Sequence, residues 1–478
     1  MRDENWVKSR IIQVVKNLDF KQDFIIDIRD NRIFSYEQFF SICLEMAHVI
    51  NEYSGEGVVA SLDNSTKLVA LYFATLFTDK VIVVVDPQKG KEEQQEIISQ
   101  YPSYYLILDD KADIFNFFNE EEYKLNIKQC VITNLETKDF FQDYLVTHTS
   151  GTTGSTKGVL HSIYNLLSTS FALGDKLQFK SGGTYLHIMP MTYMAGILNS
   201  IFFPFVFKQK IVIGPRFSIG TAIRFWETMV NYEVSALWLS PAMLMMIDKV
   251  DRKDTGEKYC LKHDVTFLIG TAALTGNVRK SFESRYHTKL LASYGLSETL
   301  FVSVETIDSN NSDDNVGELL DGVKISFGEG EELLISVPWM FKGYTNVSME
   351  TYFDGEYYKS GDIAKYKNVL SITGRIKDLI IKGGMNISPS KIENEVLTNE
   401  AILECAVYGK RNGVGEELVC CSYVIKEGYE NPNIESDISK RIIDKLGVNY
   451  RIDKFERLKS LPRNINGKID KRELINKG

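Results

Sequence analysis

No stretch of this sequence stays apolar for long enough to cross a bilayer. The longest runs, Val81–Val85 and Ile197–Phe207, fall short of the roughly 20 residues that a spanning helix requires. The opening residues, MRDENWVKSR, hold no apolar core of the kind a secretory leader needs. Cysteine is scarce. Cys43, Cys130, Cys260, Cys405, Cys420 and Cys421 fit no CxxC spacing, which argues against a zinc or dithiol site and for reduced structural thiols. A basic surplus is also missing: 55 Lys and Arg stand against 64 Asp and Glu, a formal charge of −9. That balance argues against nucleic acid as the main partner but leaves room for small anions, which local loops bind irrespective of net charge. A soluble cytoplasmic protein without membrane insertion is expected.

What is present suits large globular cores. The chain has 478 residues, 44% of them hydrophobic and 25% charged, enough for several structural units. Short apolar strands alternate with helical patterns through the first three quarters. Gly57–Leu62, Val81–Asp86, Tyr104–Leu108 and Lys128–Ile132 read as strands and Lys67–Phe77 as a helix. That alternation predicts α/β layering around a largely parallel sheet. From Gly317 to Asp362 the pattern turns to Gly, Glu and short alternating runs such as Glu332–Val337 and Tyr357–Ser360, which predicts antiparallel β structure. Beyond Gly374–Ile387 come a helix (Ser390–Asn399), two strands (Cys405–Lys410, Leu418–Lys426), a second helix (Asp437–Leu446) and a basic tail. The expected organisation is an N-terminal domain over 1–374, with an antiparallel subdomain at about 317–374, a hinge at 375–379 and a C-terminal domain over 380–478.

The sharpest local signal is the run Thr149-Ser150-Gly151-Thr152-Thr153-Gly154-Ser155-Thr156-Lys157-Gly158. Its glycines let backbone N–H groups turn toward an anion, its hydroxyls add donors, and Lys157 adds a charge for a phosphate. The run is not a Walker A loop. A Ser/Gly-rich linker is the competing reading, but an apolar strand leads in at Tyr144–Val146 and Val159-Leu160 follows at once.

This run resembles the TSGTTGxPKG signature of the acyl-adenylate-forming superfamily, which includes acyl- and aryl-CoA ligases, luciferases and peptide-synthetase adenylation domains. Thr156 stands where proline is usual. Four further elements resemble that superfamily in its order: Tyr294-Gly295-Leu296-Ser297-Glu298-Thr299 (YGxTE), Ser360-Gly361-Asp362 (TGD), Gly374-Arg375-Ile376-Lys377-Asp378 with Gly384 (GRxKDxI…G), and Leu461-Pro462-Arg463-Asn464-Ile465-Asn466-Gly467-Lys468 (PRxxxGK). The resemblance implies an α/β fold: a large N-terminal domain of layered subdomains with a small β-barrel-like one, and a separate, mobile α+β C-terminal domain.

It also implies chemistry. ATP would activate a carboxylic acid as its acyl-AMP, and CoA or the phosphopantetheine of an acyl carrier protein would then take the acyl group. Two anions must meet in the first step, so positioning and charge neutralisation carry it. By resemblance, Thr149, Ser150, Gly151, Thr152, Thr153, Gly154 and Lys157 hold phosphates, and Thr153 is also catalytic. Glu298 holds Mg²⁺, with a surface glutamate opening a helix as the competing reading. Thr299 meets the α-phosphate. Thr271, Ala272, Ala273, Ser293, Tyr294 and Gly295 border the adenine, and Asp362 takes the ribose with Arg375 beside it. Lys468 is the adenylation lysine, Lys377 the hinge, and Gly384 lies by a pantetheine tunnel.

The acid pocket follows from similar likeness. Leu186–Gly196 resembles LPxFHxxG, with Tyr193 at the usual histidine, and Gly270–Leu274 resembles SGGAPL. His187, Tyr193, Gly196, Trp238, Thr271 and Tyr294 are the expected walls, with Ser240 and Met243 further possibilities against ordinary core packing. Met191–Met194 holds no carboxylate to pair an α-ammonium. An acid without an α-amino group, aryl or short to medium acyl, is therefore expected, with a stand-alone amino-acid adenylating enzyme as the alternative.

Overall fold

The computed structural model describes residues 3–119, 126–150 (Ser150 by its backbone alone), 156–309, 315–382, 385–411, 417–426, 428–429, 431–463 and 469–476. Two large sheets dominate these residues. One has nine strands, in the order Glu318–Leu319, Leu300–Val304, Leu290–Leu296, Thr266–Ile269, Ala236–Leu239, Thr184–His187, Lys210–Ile213, Asp23–Asp27 and Arg32–Ser35. The other has six, in the order Gly343–Tyr344, Thr156–Ser162, Asp143–Ser150, Val81–Val84, Gly57–Ala60 and Tyr105–Ile107. The middle pairings of both are parallel.

The side-chain period of two explains the layering. In the strand from Val81, Ile82 and Val84 join the central core, while Val83 and Val85 join a cluster with Ile97 and Tyr101 on the outer side. In the nine-stranded sheet, Tyr185 and Trp238 face the central core; Leu186, Leu237 and Leu239 face a second one with Trp226, Phe282 and Tyr286. Helices trapped between two sheets must be apolar all round. The helix Thr66–Leu76 is buried at every position but Lys67, and the helix Ile163–Leu177 is buried from Ile163 through Gly174.

Lys128–Ile132 is not a strand. It lies inside the helix Ile127–Thr137, which buries Ile127, Val131, Ile132 and Leu135. Those positions recur at helical spacing, and packing of this face on the helix Glu4–Lys16 overrides the β-branched propensity of Val131 and Ile132. The other expected strands and helices appear within a few residues of their expected bounds. The antiparallel expectation also holds: Lys324–Phe327, Glu332–Ser336, Phe353–Asp354, Tyr357–Lys367 and Val369–Arg375 form one sheet.

The C-terminal part has its own core. Ile380, Ile392, Val407, Val419, Cys421, Ile438 and Ile442 belong to a cluster separate from the others. Cys420 and Cys421 lie in the strand Glu417–Ile425, and all six cysteines are free and buried or half-buried. Among the described residues no helix is long and apolar enough to cross a membrane.

One buried ion pair ties the strands behind the site to a helix. Arg279, on the helix Gly276–Tyr286, donates to Glu305 Oε2 at 2.7 Å and to the Leu290 carbonyl at 2.7 Å. Glu305 has no solvent exposure and also accepts from the Ala292 N–H at 2.8 Å. Arg279→Met takes the guanidinium away from that buried carboxylate and should cost about 3–5 kcal/mol of unfolding free energy, read as a lower denaturant midpoint. Adding Glu305→Gln should recover part of the loss, and an unchanged midpoint in the single variant contradicts the role given to the pair.

Candidate functional site

The antiparallel hairpin Asp143–Ser150/Thr156–Ser162 brackets the glycine- and threonine-rich run, pairing Thr149 with Lys157 and Ser150 with Thr156. Gly151, Thr152, Thr153, Gly154 and Ser155 lie outside the described residues. The exit strand is clamped by the segment 343–346. Thr345 N–H donates to the Gly158 carbonyl at 2.9 Å, and the Asn346 amide donates to the Thr156 carbonyl at 3.0 Å. A Cβ on Gly158 would sit 2.2 Å from Thr345 Oγ1, so only glycine admits this clamp.

Lys157 is almost buried. Its ammonium donates to the Tyr352 hydroxyl at 2.5 Å and lies 4.5 Å from the centre of that ring and 5.3 Å from that of Tyr344. Tyr344 in turn donates to Glu298 Oε1 at 2.7 Å and shares a 2.9 Å contact with the Tyr358 hydroxyl. A tyrosine cluster thus holds both the cation and the carboxylate. Glu298 sits in the turn between the antiparallel strands Leu290–Leu296 and Leu300–Val304, not at a helix start. Thr299 is fully buried, and its hydroxyl accepts from the Leu296 N–H at 3.2 Å.

Three further motif residues meet directly. Asp362 accepts from the Tyr294 hydroxyl at 2.7 Å and from Arg375 Nε at 2.8 Å. The aspartate side chain is 2% exposed and that of Arg375 is 44% exposed, so the cluster opens to solvent on the arginine side. Burial and the Asp362 charge hold the Tyr294 phenol well above its usual range, which keeps it a donor. Tyr193 feels the same group: burial raises its phenol, with the Arg375 charge lowering it and Glu298 raising it. The half-buried Ser293 and the exposed Gly295 lie in the strand that ends at Leu296.

Thr271 holds φ at +69°, a strained position for a β-branched residue, in the loop with exposed Ala272 and Ala273. Trp238 is buried and stacks on Phe301 with ring centres 5.3 Å apart. His187 and Gly196 are buried, Gly196 in the short helix Met194–Ile197. The Met189–Met191 segment before it is pinned by the Asn64 amide, which donates to the Met189 carbonyl at 2.8 Å and accepts from the Met191 N–H at 2.9 Å. Ser240 caps the helix Pro241–Val250, and Met243 packs against the second core, away from Trp238. Lys377 is exposed among the charges of Arg375, Asp378, Arg472 and Asp362. Lys468 and Gly384 lie outside the described residues, although Arg463 and Ile469, on either side of 464–468, bridge each other. Tyr344, Tyr352 and Asn64 had no motif to announce them; the density of tyrosines from Tyr344 to Tyr358 was the one sequence signal for the first two.

A loop-bearing hairpin, a carboxylate turn and an Asp–Tyr–Arg cluster are thus carried on the layered sheets of an α/β protein. The chain belongs to the AMP-binding enzyme family, matching it over residues 17–345 and matching that family's C-terminal domain over residues 391–468. It is 27% identical over 366 residues to a malonate–CoA ligase of Arabidopsis thaliana, covering 69% of this chain and 60% of the relative. It is 24% identical over 354 residues to a sulfoacetate–CoA ligase of Cupriavidus necator, covering 70% and 66%. The chain thus spans about three fifths to two thirds of those relatives. ATP-bound MatB from Rhodopseudomonas palustris shares the fold, with a TM-score of 0.83 at 20% identity over 98% of both chains.

Two imidazoles next to the site are held neutral. His148, which contacts the Tyr101 hydroxyl at 3.1 Å and the Val84 carbonyl at 3.4 Å, is pushed down to about 4 by burial. His161, which donates to the Ser297 carbonyl at 2.7 Å, is likewise pushed down to about 4 by burial. The unfolded chain binds these protons near pH 6.5 and the folded chain does not. Their stabilisation is therefore complete above about pH 6.5 and falls as pH drops toward 4. Denaturant unfolding at pH 5 should take up about one proton fewer in His148→Asn than in the parent; equal uptake contradicts a neutral buried imidazole.

Proposed function

We propose that this protein is an ATP-dependent acid–thiol ligase. A carboxylate oxygen attacks the α-phosphorus of ATP, the acyl–O–P bond forms, and the bond to the bridging oxygen breaks to release pyrophosphate. A thiol sulfur then attacks the acyl carbon, AMP leaves, and the thiol proton is lost to solvent. The observation that carries this reading is the direct meeting of Tyr294, Asp362 and Arg375, from three motifs, at 2.7 and 2.8 Å. A carboxylate fixed between a phenol and a guanidinium is a pre-set acceptor for the ribose hydroxyls.

In this reading Tyr294 with Thr271, Ala272, Ala273, Ser293 and Gly295 borders the adenine and acyl group. Lys157 leaves Tyr352 for the phosphates, alongside Thr149, Ser150 and the residues 151–154. Glu298 fits Mg²⁺ as a lone carboxylate, because that ion takes one or two carboxylates with water and phosphate oxygens; it supplies charge neutralisation when bound. Lys468 bridges the carboxylate and the α-phosphate, and Lys377 serves as hinge between residues 1–374 and 380–478. The acceptor is coenzyme A, a reading supported by the CoA-ligase names of the relatives. The acid lacks an α-amino group and is aryl or short to medium acyl, since Met191–Met194 offers no carboxylate.

An acid panel with ATP, Mg²⁺ and CoA should give acyl-AMP, pyrophosphate and acyl-CoA by mass spectrometry. No acid-dependent pyrophosphate from any member contradicts the reading. Lys468→Ala should slow adenylation on the order of 10²–10³-fold, as removal of a group aimed at transition-state charge does. Thioester formation from supplied acyl-AMP should be largely spared, and equal loss in both half-reactions contradicts a lysine that acts only in the first.

A further inference from the structure

The strands Thr184–His187 and Ala236–Leu239 run parallel, with Tyr185 opposite Ala236 and Leu186 opposite Leu237. The next step along both places His187 beside Trp238, on the face that turns away from Leu186 and Leu237 toward the central core. The π-helical turn Leu198–Phe202 packs over both strands. That face should be hydrocarbon, and it is not. The Tyr185 hydroxyl, both His187 ring nitrogens, the Trp238 indole N–H and the Ser200 hydroxyl on the π-helical turn have no hydrogen-bond partner. All four residues are at most 1% exposed. Buried polar groups are paired in folded proteins, and a run of orphans on one face asks for an occupant. Gly270 abuts this group closely: a Cβ there would lie 3.0 Å from Trp238 Nε1 and 3.1 Å from Ser293 Oγ.

We propose that the acyl pocket takes an acid whose tail is uncharged and carries a hydrogen-bond acceptor, received by the indole N–H of Trp238 with His187 beside it. The proposal rests on the adenylation reading above and specifies the acid class. Each alternative class meets a physical obstacle. A hydrocarbon tail would bury these donors and acceptors unpaired. A second carboxylate or a sulfonate would enter a site where none of the polar groups just named is a cation. Burial pushes His187 down to about 3, so its ring is neutral and offers one donor and one acceptor.

The test uses matched acids: pentanoate, 4-oxopentanoate and glutarate as one set, and benzoate, pyridine-3-carboxylate and benzene-1,3-dicarboxylate as another. Acid-dependent pyrophosphate release gives kcat/KM for each. Within an accepted set, the neutral acceptor-bearing acid should exceed both others by about tenfold or more, the usual scale when a site's hydrogen-bonding group is matched. Trp238→Phe keeps the ring and removes the donor, and it should collapse the ratio of acceptor-bearing to hydrocarbon acid toward one. The parent comparison needs no variant, so a misfolded Trp238→Phe leaves it intact. A preference for the hydrocarbon or the dianion, or an equal fall for both acids in Trp238→Phe, overturns the proposal and leaves adenylation standing; ordered water then satisfies these groups. Release with no acid at all overturns the adenylation reading and this proposal together.

Discussion

The Asp362 carboxylate, gripped by Tyr294 at 2.7 Å and by Arg375 at 2.8 Å, is the interaction on which the site's geometry depends. Tyr294 comes from the end of a strand in the nine-stranded sheet, while Asp362 and Arg375 face each other across the antiparallel subdomain. One carboxylate therefore joins two sheets, and its partner Arg375 ends the strand that leads toward the C-terminal core. A nearly buried anion tolerates this only because it is paired on both oxygens. Arg375 is the partner that remains accessible, so a ligand can approach without breaking the core.

The tyrosines of the segment from Tyr344 to Tyr358 solve a related problem. Lys157 and Glu298 carry opposite charges and both meet Tyr344, yet no described contact pairs them with each other. Tyr352 and the ring faces hold the cation, and Tyr344 holds the carboxylate. Phenols hold ions without taking up their charge. That arrangement suits residues proposed to exchange a protein partner for phosphate and metal.

Much of this was legible in the residues. Strands such as Val81–Val84 are apolar on both faces because both faces are covered, and the helix Thr66–Leu76 is apolar all round for the same reason. Glycine-bearing motifs were legible because their constraints are local: Gly158 can tolerate no Cβ against Thr345. The misreading of Lys128–Ile132 arose where β-branched residues happen to fall at helical spacing on a face another helix covers. Contacts joining distant parts of the chain were not legible. Lys157 and Tyr352 are 195 residues apart, and nothing in either neighbourhood announces the other. The orphaned polar groups of Tyr185, His187 and Ser200 are likewise a property of the packing, since a polar residue in an apolar run gives no sign of whether it finds a partner.

The central claim is that Asp362 is a pre-formed nucleotide acceptor. Calorimetric titration of Mg·ATP into the parent protein and Asp362→Ala tests it most directly. The account predicts affinity weaker by about 10- to 100-fold in the variant, the weight of one or two hydrogen bonds to a charged group. Equal affinity in the two proteins would contradict it.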